Sequence, residues 1–182
     1  MTVFWERGYA GTSMTDLTEA MGIGSPSLYA AFGSKEQLFR EALAYYDETE
    51  GAAATKALRE GTTARAAVAE ALRINVEVCS DPAKPRGCMI VLSATTNTDD
   101  NPRLRDYLRE LSLGNERAFR ERVERGVADG DVPAHADVDA IASFYDAVMQ
   151  GMSLQAHNGA SRAALARVAE GAIAAWETLT LR

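Results

Sequence analysis

Helix caps at the start of the chain constrain its fold more than any other feature. Ser13 and Asp16 have the spacing of a capping box, in which two side chains satisfy free backbone N–H groups at a helix start. Ser25 followed by Pro26 is typical of a second helix start, with proline at the first helical position. Only residues 22–24, with glycine at both ends, separate the two helices. This spacing predicts a helix-turn-helix.

The rest of the chain predicts an all-α fold. Ser34 and Gln37 form another capping box, which opens a long helix over residues 35–59. The other predicted helices cover residues 64–80, 86–96, 102–128, 136–156 and 161–179. No segment alternates polar and apolar residues with period two between turn residues, so no strand is expected.

Charge and composition exclude several classes of protein. The 182 residues include 19 Lys and Arg against 26 Asp and Glu, a formal net charge of -7. A basic footprint over the whole protein is therefore absent, and any DNA contact must be local. No apolar run reaches the roughly 18 residues of a membrane span, and no signal peptide is recognisable. Two cysteines are too few for a disulfide framework. We expect a soluble, cytoplasmic protein with no membrane contact.

The second helix of the helix-turn-helix carries the residues suited to DNA. Ser25, Pro26 and Ser27 are small, so the backbone can approach the major groove closely. The hydroxyls of Ser27 and Tyr29 can meet bases or phosphates. The helix N-termini at Ser13 and Ser34 can receive phosphates without basic side chains, and Lys35 adds a charge there.

Two stretches of the sequence resemble a known family. The first is GYAGTS at residues 8–13, MGIG at 21–24 and SLYAAFGSKEQLF at 27–39, which together resemble the TetR/AcrR family of transcriptional repressors. The second is RGCMIV at residues 86–91 with QGMSLQA at 150–156, which is similar to one AcrR-like subgroup.

The resemblance implies an all-helical homodimer with two domains. The first, residues 1–46, would be a three-helix helix-turn-helix module that binds double-stranded operator DNA. The second, residues 47–182, would be a helical domain that encloses a small-molecule effector and forms the dimer through the last two helices. Residue by residue, the resemblance places Thr12 and Ser13 on phosphate, Ser25, Pro26 and Ser27 in the groove, and Tyr29 and Lys35 on backbone phosphates. It implies no cofactor and no enzyme activity.

The sequence departs from the family pattern at the N-terminal end. The chain begins inside the first helix of the pattern, so we expect a truncated helix 1 without its basic arm. Ala31 stands where the family often has a histidine. Residues 1–50 contain three basic and eight acidic side chains. We therefore expect weak, salt-sensitive DNA binding from this chain.

The effector pocket and the dimer interface are assigned from large apolar side chains on the long helices. Most such side chains form the core, but a ligand cavity between helices is also mainly apolar. The pocket candidates are Met89, Ser93, Tyr107, Phe119, Phe144, Tyr145 and Met149, with Thr95 and Asn97 as further polar groups. The interface candidates are Val148, Met152, Leu165, Val168, Ala172 and Trp176.

Other features have plainer interpretations. Cys88 could sense oxidants, but a small buried apolar side chain is the favoured reading. His135 and His157 have no second ligand at metal spacing, so no metal site is expected. The arginines of residues 103–125 alternate with acidic residues and indicate a solvated helix. No nucleophile and base recur together, which disfavours an enzyme. The main hypothesis is a ligand-responsive repressor. The alternative is a small-molecule-binding or interaction dimer that has lost DNA binding.

Overall fold

The computed structural model describes residues 1–95 and 101–181, and within them the chain forms helices and no strand. The helices are α1 (Thr2–Arg7), α2 (Met14–Met21), α3 (Ser25–Phe32), α4 (Lys35–Tyr46), α5 (Ala52–Glu60), α6 (Ala64–Ser80), α7 (Met89–Thr95), α8 (Pro102–Asp129), α9 (Val138–His157), α10 (Arg162–Ala174) and α11 (Trp176–Thr180). The all-α prediction is confirmed. The predicted helix end at Thr96 and the pocket candidate Asn97 lie outside the described residues.

The local signals of the first forty residues act as predicted at both ends of α2 and at the Ser34 cap. The start of α3 differs, because Gly24 rather than Ser25 is its N-cap and no side chain caps it. Gln37 does not complete a capping box, since its side chain donates to Glu41. Ser13 accepts a hydrogen bond from the Asp16 backbone N–H, and the Asp16 carboxylate accepts one from the Ser13 N–H at 2.7 Å. Gly22 ends α2 in the left-handed conformation at φ 65°, which glycine adopts without strain. The Ser34 hydroxyl caps α4 by accepting from the Gln37 N–H. These caps produce the three short helices and the turn of a helix-turn-helix.

The predicted long helix over residues 35–59 is interrupted by a π turn, Asp47–Gly51, between α4 and α5. Gly51 is a weak helix former, and three of the four residues before it are acidic. Glu50 in this turn pairs with Lys84 Nζ at 2.6 Å, across 34 residues of sequence. A contact this distant leaves no local sequence signal, so the periodic pattern could not reveal the interruption.

The C-terminal helices α6, α8, α9 and α10 enclose one core, and this corrects two predictions. Met152, Leu165, Ala172 and Trp176 are buried inside this core, and Val148 and Val168 pack against it. The apolar stripe assigned to the dimer interface is therefore covered by the chain's own helices. The single predicted helix over residues 161–179 breaks at Ala175. The Tyr145 hydroxyl donates to the Ala172 carbonyl at 3.0 Å, the acceptor that a continuous helix would use there.

A second core joins the N-terminal helices to the C-terminal domain. Phe39 and Tyr46 of α4 share it with Met89 of α7 and Leu104 of α8. Met89, a pocket candidate, is therefore a core residue at this junction. The apolar core continues across the predicted domain boundary after residue 46. That boundary stays a prediction.

Polar contacts reinforce the same junction at two points. The indole N–H of Trp5 donates to the Gly87 carbonyl at 2.9 Å, in a buried position. Glu36 of α4 accepts from Arg40 at 2.9 and 3.0 Å and from the Asn101 amide at 2.8 Å. The Arg40 guanidinium lies 4.3 Å from the centre of the Tyr107 ring. Side chains from the two predicted domains are therefore in direct contact.

Within the described residues, no helix combines the length and the apolar character that a membrane crossing requires.

Candidate nucleic-acid interface

Helix α3 presents small polar residues and one tyrosine outward. Leu28 is fully buried and anchors the helix to the module. Ser25, Pro26 and Ser27 are exposed, and 48% of Tyr29 is accessible. Ser25 and Tyr29 are four residues apart and therefore share a helix face. The arrangement gives a short helix whose first turn can enter a groove while its buried side keeps its orientation fixed.

Thr12 does not lie on this surface, in contrast to the prediction. Only 1% of Thr12 is accessible, and its hydroxyl donates to the Gly8 carbonyl at 2.7 Å. The side chain closes the turn before α2 and leaves no hydroxyl for a phosphate. Ser13 is exposed, but its hydroxyl donates to Asp16 Oδ2 at 2.6 Å. Both hydroxyls are therefore engaged in shaping the start of α2.

Lys35 is half-buried at the start of α4. Its ammonium lies 4.4 Å from the centre of the Tyr9 ring, a cation–π arrangement. Burial lowers the pKa of Lys35, and the nearby Asp16 carboxylate opposes that effect. The ring and the carboxylate hold the ammonium in place at the positive end of α4.

Acidic groups limit the attraction of this surface for phosphate. Asp16 pairs with Arg7 at 2.6 Å, and hydrogen bonds from Ser13 are the main reason why its pKa is lowered. The Asp16 carboxylate therefore stays ionised at the N-terminus of α2, where the helix dipole already favours a negative charge. Arg7 is engaged in this ion pair, and Lys35 adds a second positive charge near α2 that a phosphate can share.

A small, mainly apolar cavity with a few polar side chains in its wall lies where α4, the π turn, α6, α7 and α9 meet. Its volume is about 40 Å³, and its wall includes Tyr46, Asp47, Asn75, Cys88 and Met149. Asn75 is buried, and its Nδ2 has no hydrogen-bond partner among the described residues. Sequence reasoning missed Asn75, although a polar residue in the apolar stripe of α6 was a signal that could have revealed it.

Most of the pocket candidates do not line this cavity, and Met149 is the one that does. Phe119 and Tyr145 are buried in the C-terminal core, and Phe144 packs against it. Tyr107 lies under Arg40 at the domain junction, and Ser93 lines a separate cleft beside α1. These candidates are apolar because they are mostly core residues. Hydrophobicity alone therefore did not distinguish cavity-lining residues from core residues.

Cys88 lines this cavity, and Cys79 contacts Asn75 in its wall. Burial raises the pKa of Cys79 to about 12 and also raises the pKa of Cys88. The Cys79 thiol donates to the Asn75 side-chain oxygen at 3.4 Å. Hydrogen bonds from Tyr46 and from the backbone of Ile90 and Val91 to Cys88 oppose the effect of burial on its pKa. Both cysteines are free thiols.

Two family models match the chain. Residues 1–42 match the family described as bacterial regulatory proteins, tetR family. Residues 64–172 match the family described as tetracyclin repressor-like, C-terminal domain. The two matches cover the helix-turn-helix and most of the C-terminal helical core.

Several known proteins are similar over nearly the whole chain. The HTH-type transcriptional repressor ComR of Escherichia coli (strain K12) is 32% identical over 180 residues, which are 98% of this chain and 86% of ComR. The HTH-type transcriptional repressor BdcR of the same organism is 28% identical over 87% of this chain and 76% of BdcR. The regulator CifR, solved as a cysteine mutant with 26-base-pair operator DNA, is 47% identical with a TM-score of 0.93, covering 96% of this chain and 92% of CifR.

Proposed function

Because the chain belongs to the TetR family of bacterial transcriptional regulators and is not an enzyme, we propose that it represses transcription in the cytoplasm by binding operator DNA. The observation that carries this proposal is the outward face of α3, formed by Ser25, Pro26, Ser27 and Tyr29. Similarity to CifR, which was crystallised on double-stranded operator DNA, supports the same role for this chain.

In the proposed complex, the first turn of α3 lies in the major groove. The small side chains of Ser25, Pro26 and Ser27 let the helix approach the base edges, and Tyr29 reaches a phosphate or base from the next turn. Lys35 places a positive charge beside the DNA phosphates at the edge of the groove. Thr12 takes no part, since its hydroxyl is bound to Gly8.

A homodimer supplies the second half-site. Since the apolar stripe of α10 is buried in the chain's own core, we assign the interface to the opposite, small-residue faces of α9 and α10. Ala147, Gly151 and Leu154 follow one another at helical spacing on α9, and Leu154 is 43% exposed. A Cβ added to Gly151 or Gly171 would meet no described atom within 4 Å, so a second helix can approach both closely.

Replacing Ala147 with glutamate tests this interface. A charge on the small-residue face is expected to shift the dimer to monomers at micromolar concentration, because a buried unpaired carboxylate is costly. Light scattering during size-exclusion chromatography measures the change. Ala128→Glu, on the exposed C-terminal turn of α8, serves as the control and should remain dimeric. A dimeric Ala147→Glu variant would place the interface elsewhere.

A small-molecule effector would act by widening the cavity at the domain junction, which at about 40 Å³ holds roughly one water as it stands. Tyr46 lines the cavity and also packs on Trp5 of α1, with ring centroids 4.8 Å apart. A ligand that pushes Tyr46 and Cys88 apart therefore moves α1 and α4, which carry the DNA-binding helices. If the ligand binds more tightly to the displaced arrangement, it shifts the population away from the spacing that fits two half-sites.

The DNA surface is tested by replacing Tyr29 with alanine. We expect operator affinity to fall by about tenfold or more, because an exposed contact residue is lost without disturbing the core. Fluorescence anisotropy on DNA from upstream of the chain's own gene, with scrambled DNA as reference, measures the effect. Tyr45→Ala is the matched control, since Tyr45 is 58% exposed but lies near the far end of α4.

The outcomes separate the two candidate functions. Unchanged affinity of the Tyr29→Ala variant, with a specific wild-type complex, would place the DNA surface elsewhere. Equal affinity of the wild type for upstream and scrambled DNA would favour a ligand-binding dimer that has lost DNA recognition. The acidic balance of residues 1–50, three basic against eight acidic side chains, is what keeps that second candidate in consideration.

A further inference from the structure

Arg122 is a buried cation with unfilled hydrogen-bond donors. Only 2% of this α8 residue is accessible. Its Nη2 donates to the Gly61 carbonyl at 3.3 Å, but Nε and Nη1 have no acceptor among residues 1–95 and 101–181. A buried donor without a partner is destabilising, and more so when it carries charge. Two of its donor nitrogens, Nε and Nη1, therefore need an acceptor that the neighbouring residues do not provide.

The nearest carboxylate compensates Arg122 only partly. Asp131 Oδ2 lies 3.6 Å from Arg122 Nη2, beyond ordinary hydrogen-bond distance. Both Asp131 oxygens accept from the Ala64 N–H, at 3.1 and 3.2 Å, at the start of α6. Asp131 thus serves mainly to cap a helix, and it approaches Nη2 rather than the two unfilled nitrogens.

A cleft between α5 and α8 lies beside Arg122, whose side chain is 1% accessible and keeps its unfilled donors just behind the cleft wall. Its volume is about 120 Å³, and Arg59 and Arg125 line it together with Arg122. Arg125 is fixed in place, since it donates to the Arg59 and Leu58 carbonyls at 2.7 and 3.1 Å. Glu121 is the one carboxylate among the lining residues, and it is exposed. The cleft is therefore lined by more positive than negative side chains.

The size of the cleft limits what it can hold. At about 30 Å³ for each water, the cleft has room for roughly four waters. Drug-sized ligands occupy cavities of about 300–1,000 Å³, so the cleft is too small for them. A single small anion matches both the volume and the charge.

We propose that the α5–α8 cleft binds a small oxyanion, either a phosphate or sulfate ion or the carboxylate of a small acid, whose oxygens accept from the exposed Arg59 and from Arg122 once its side chain turns toward the anion. Guanidinium groups match the geometry of such oxyanions and form strong, charge-assisted hydrogen bonds with them. The anion would join α8 to α5, which continues through the π turn into α4. Binding at this site stands apart from operator binding and from the cavity at the domain junction.

Calorimetric titration with inorganic phosphate at constant ionic strength tests the proposal. We expect one phosphate per chain and a rise in Tm of about 3–6 °C at ten times the Kd. Acetate in a parallel titration distinguishes a site for tetrahedral anions from one for carboxylates. Saturable binding of neither anion would overturn the proposal.

Variants locate the binding. Arg59→Ala changes an exposed cleft residue and should weaken phosphate binding at least fivefold, while Arg122→Lys removes the fork of donors and should weaken it further. Arg105→Ala, on an exposed turn of α8 outside the cleft, should bind phosphate as the wild type does. Wild-type affinity in Arg59→Ala, or loss of binding in Arg105→Ala, would contradict the assignment. Arg59→Ala keeps the test decisive if Arg122→Lys does not fold.

Discussion

Replacing Gly87 with alanine should lower the free energy of unfolding by about 2–5 kcal/mol, through backbone strain and overpacking together. Gly87 adopts φ 87°, and a Cβ there would lie 2.7 Å from the Ser153 carbonyl oxygen of α9. That oxygen belongs to helix backbone and cannot move aside cheaply. The Gly87 carbonyl also accepts from the Trp5 indole, so any shift breaks a buried hydrogen bond at the domain junction.

Gly159→Ala is the matched control for this substitution. Gly159 has a similar φ of 92°, but an added Cβ would meet no described atom within 4 Å. Alanine at this position would therefore introduce the backbone strain but no close contact. We expect the free energy of unfolding to fall by about 1–2 kcal/mol. Urea denaturation of both variants measures the difference. Equal losses would show that the contact between Gly87 and α9 contributes nothing.

Replacing Asp146 with asparagine should stabilise the protein by about 1–3 kcal/mol at pH 7.5, which is the gain from removing the buried charge less the cost of an amide NH₂ without a partner. Asp146 is buried on α9, and its Oδ1 has no hydrogen-bond partner among the described residues. Burial raises its pKa to about 6, and Glu116 adds to the rise, while a hydrogen bond from Gln150 opposes both. Asparagine keeps the oxygen that accepts from Gln150 at 2.7 Å and removes the buried charge.

The pH dependence identifies the cause. Because the folded-state pKa of Asp146 lies above its ordinary value of 3.8, the folded state binds more protons between about pH 4 and 6. The stability contributed by the protonated form is full below pH 4 and is lost as the pH rises through about 6. The advantage of Asp146→Asn should thus be near zero at pH 4 and greatest above pH 6.

Denaturant titrations of the wild type and Asp146→Asn over this pH range measure that advantage. Asp106→Asn, at an exposed position of α8, is the control for removing one negative charge and should show no comparable gain. An advantage of Asp146→Asn that is the same at pH 4 and pH 7.5 would exclude titration of Asp146 as its origin.

Local signals predicted the helices well because each cap acts over a few residues. Ser13, Gly22 and Ser34 specify helix ends through bonds to their own neighbours, and the structure has those ends. Thr12 shows where such reasoning stops. Its hydroxyl is part of a motif that resembles a phosphate contact, yet the side chain is buried and donates to the Gly8 carbonyl four residues earlier.

The larger errors have two physical origins. An apolar stripe such as that of Leu165 and Trp176 must be covered, but its periodicity is the same whether the cover is the chain's own core or a second subunit. The structure shows the chain's own core. The cavity at the domain junction was missed for a second reason. Asn75 is a single polar residue in an apolar stripe, and only the tertiary fold brings it beside Cys88 and the π turn.

The π turn between α4 and α5 fixes a phase relation between the two halves of the molecule. Each residue of an α-helix advances the chain by about 100° around the helix axis. The π turn over Asp47–Gly51 is wider and holds more residues per turn than an α-helix does. Deleting one residue there would let the two helices run on as a single α-helix but would rotate α3 around the helix axis relative to α8 and α9. The direction in which the recognition helix faces is therefore set by residue count, and a one-residue change in this turn would redirect it with every side chain of the DNA surface intact.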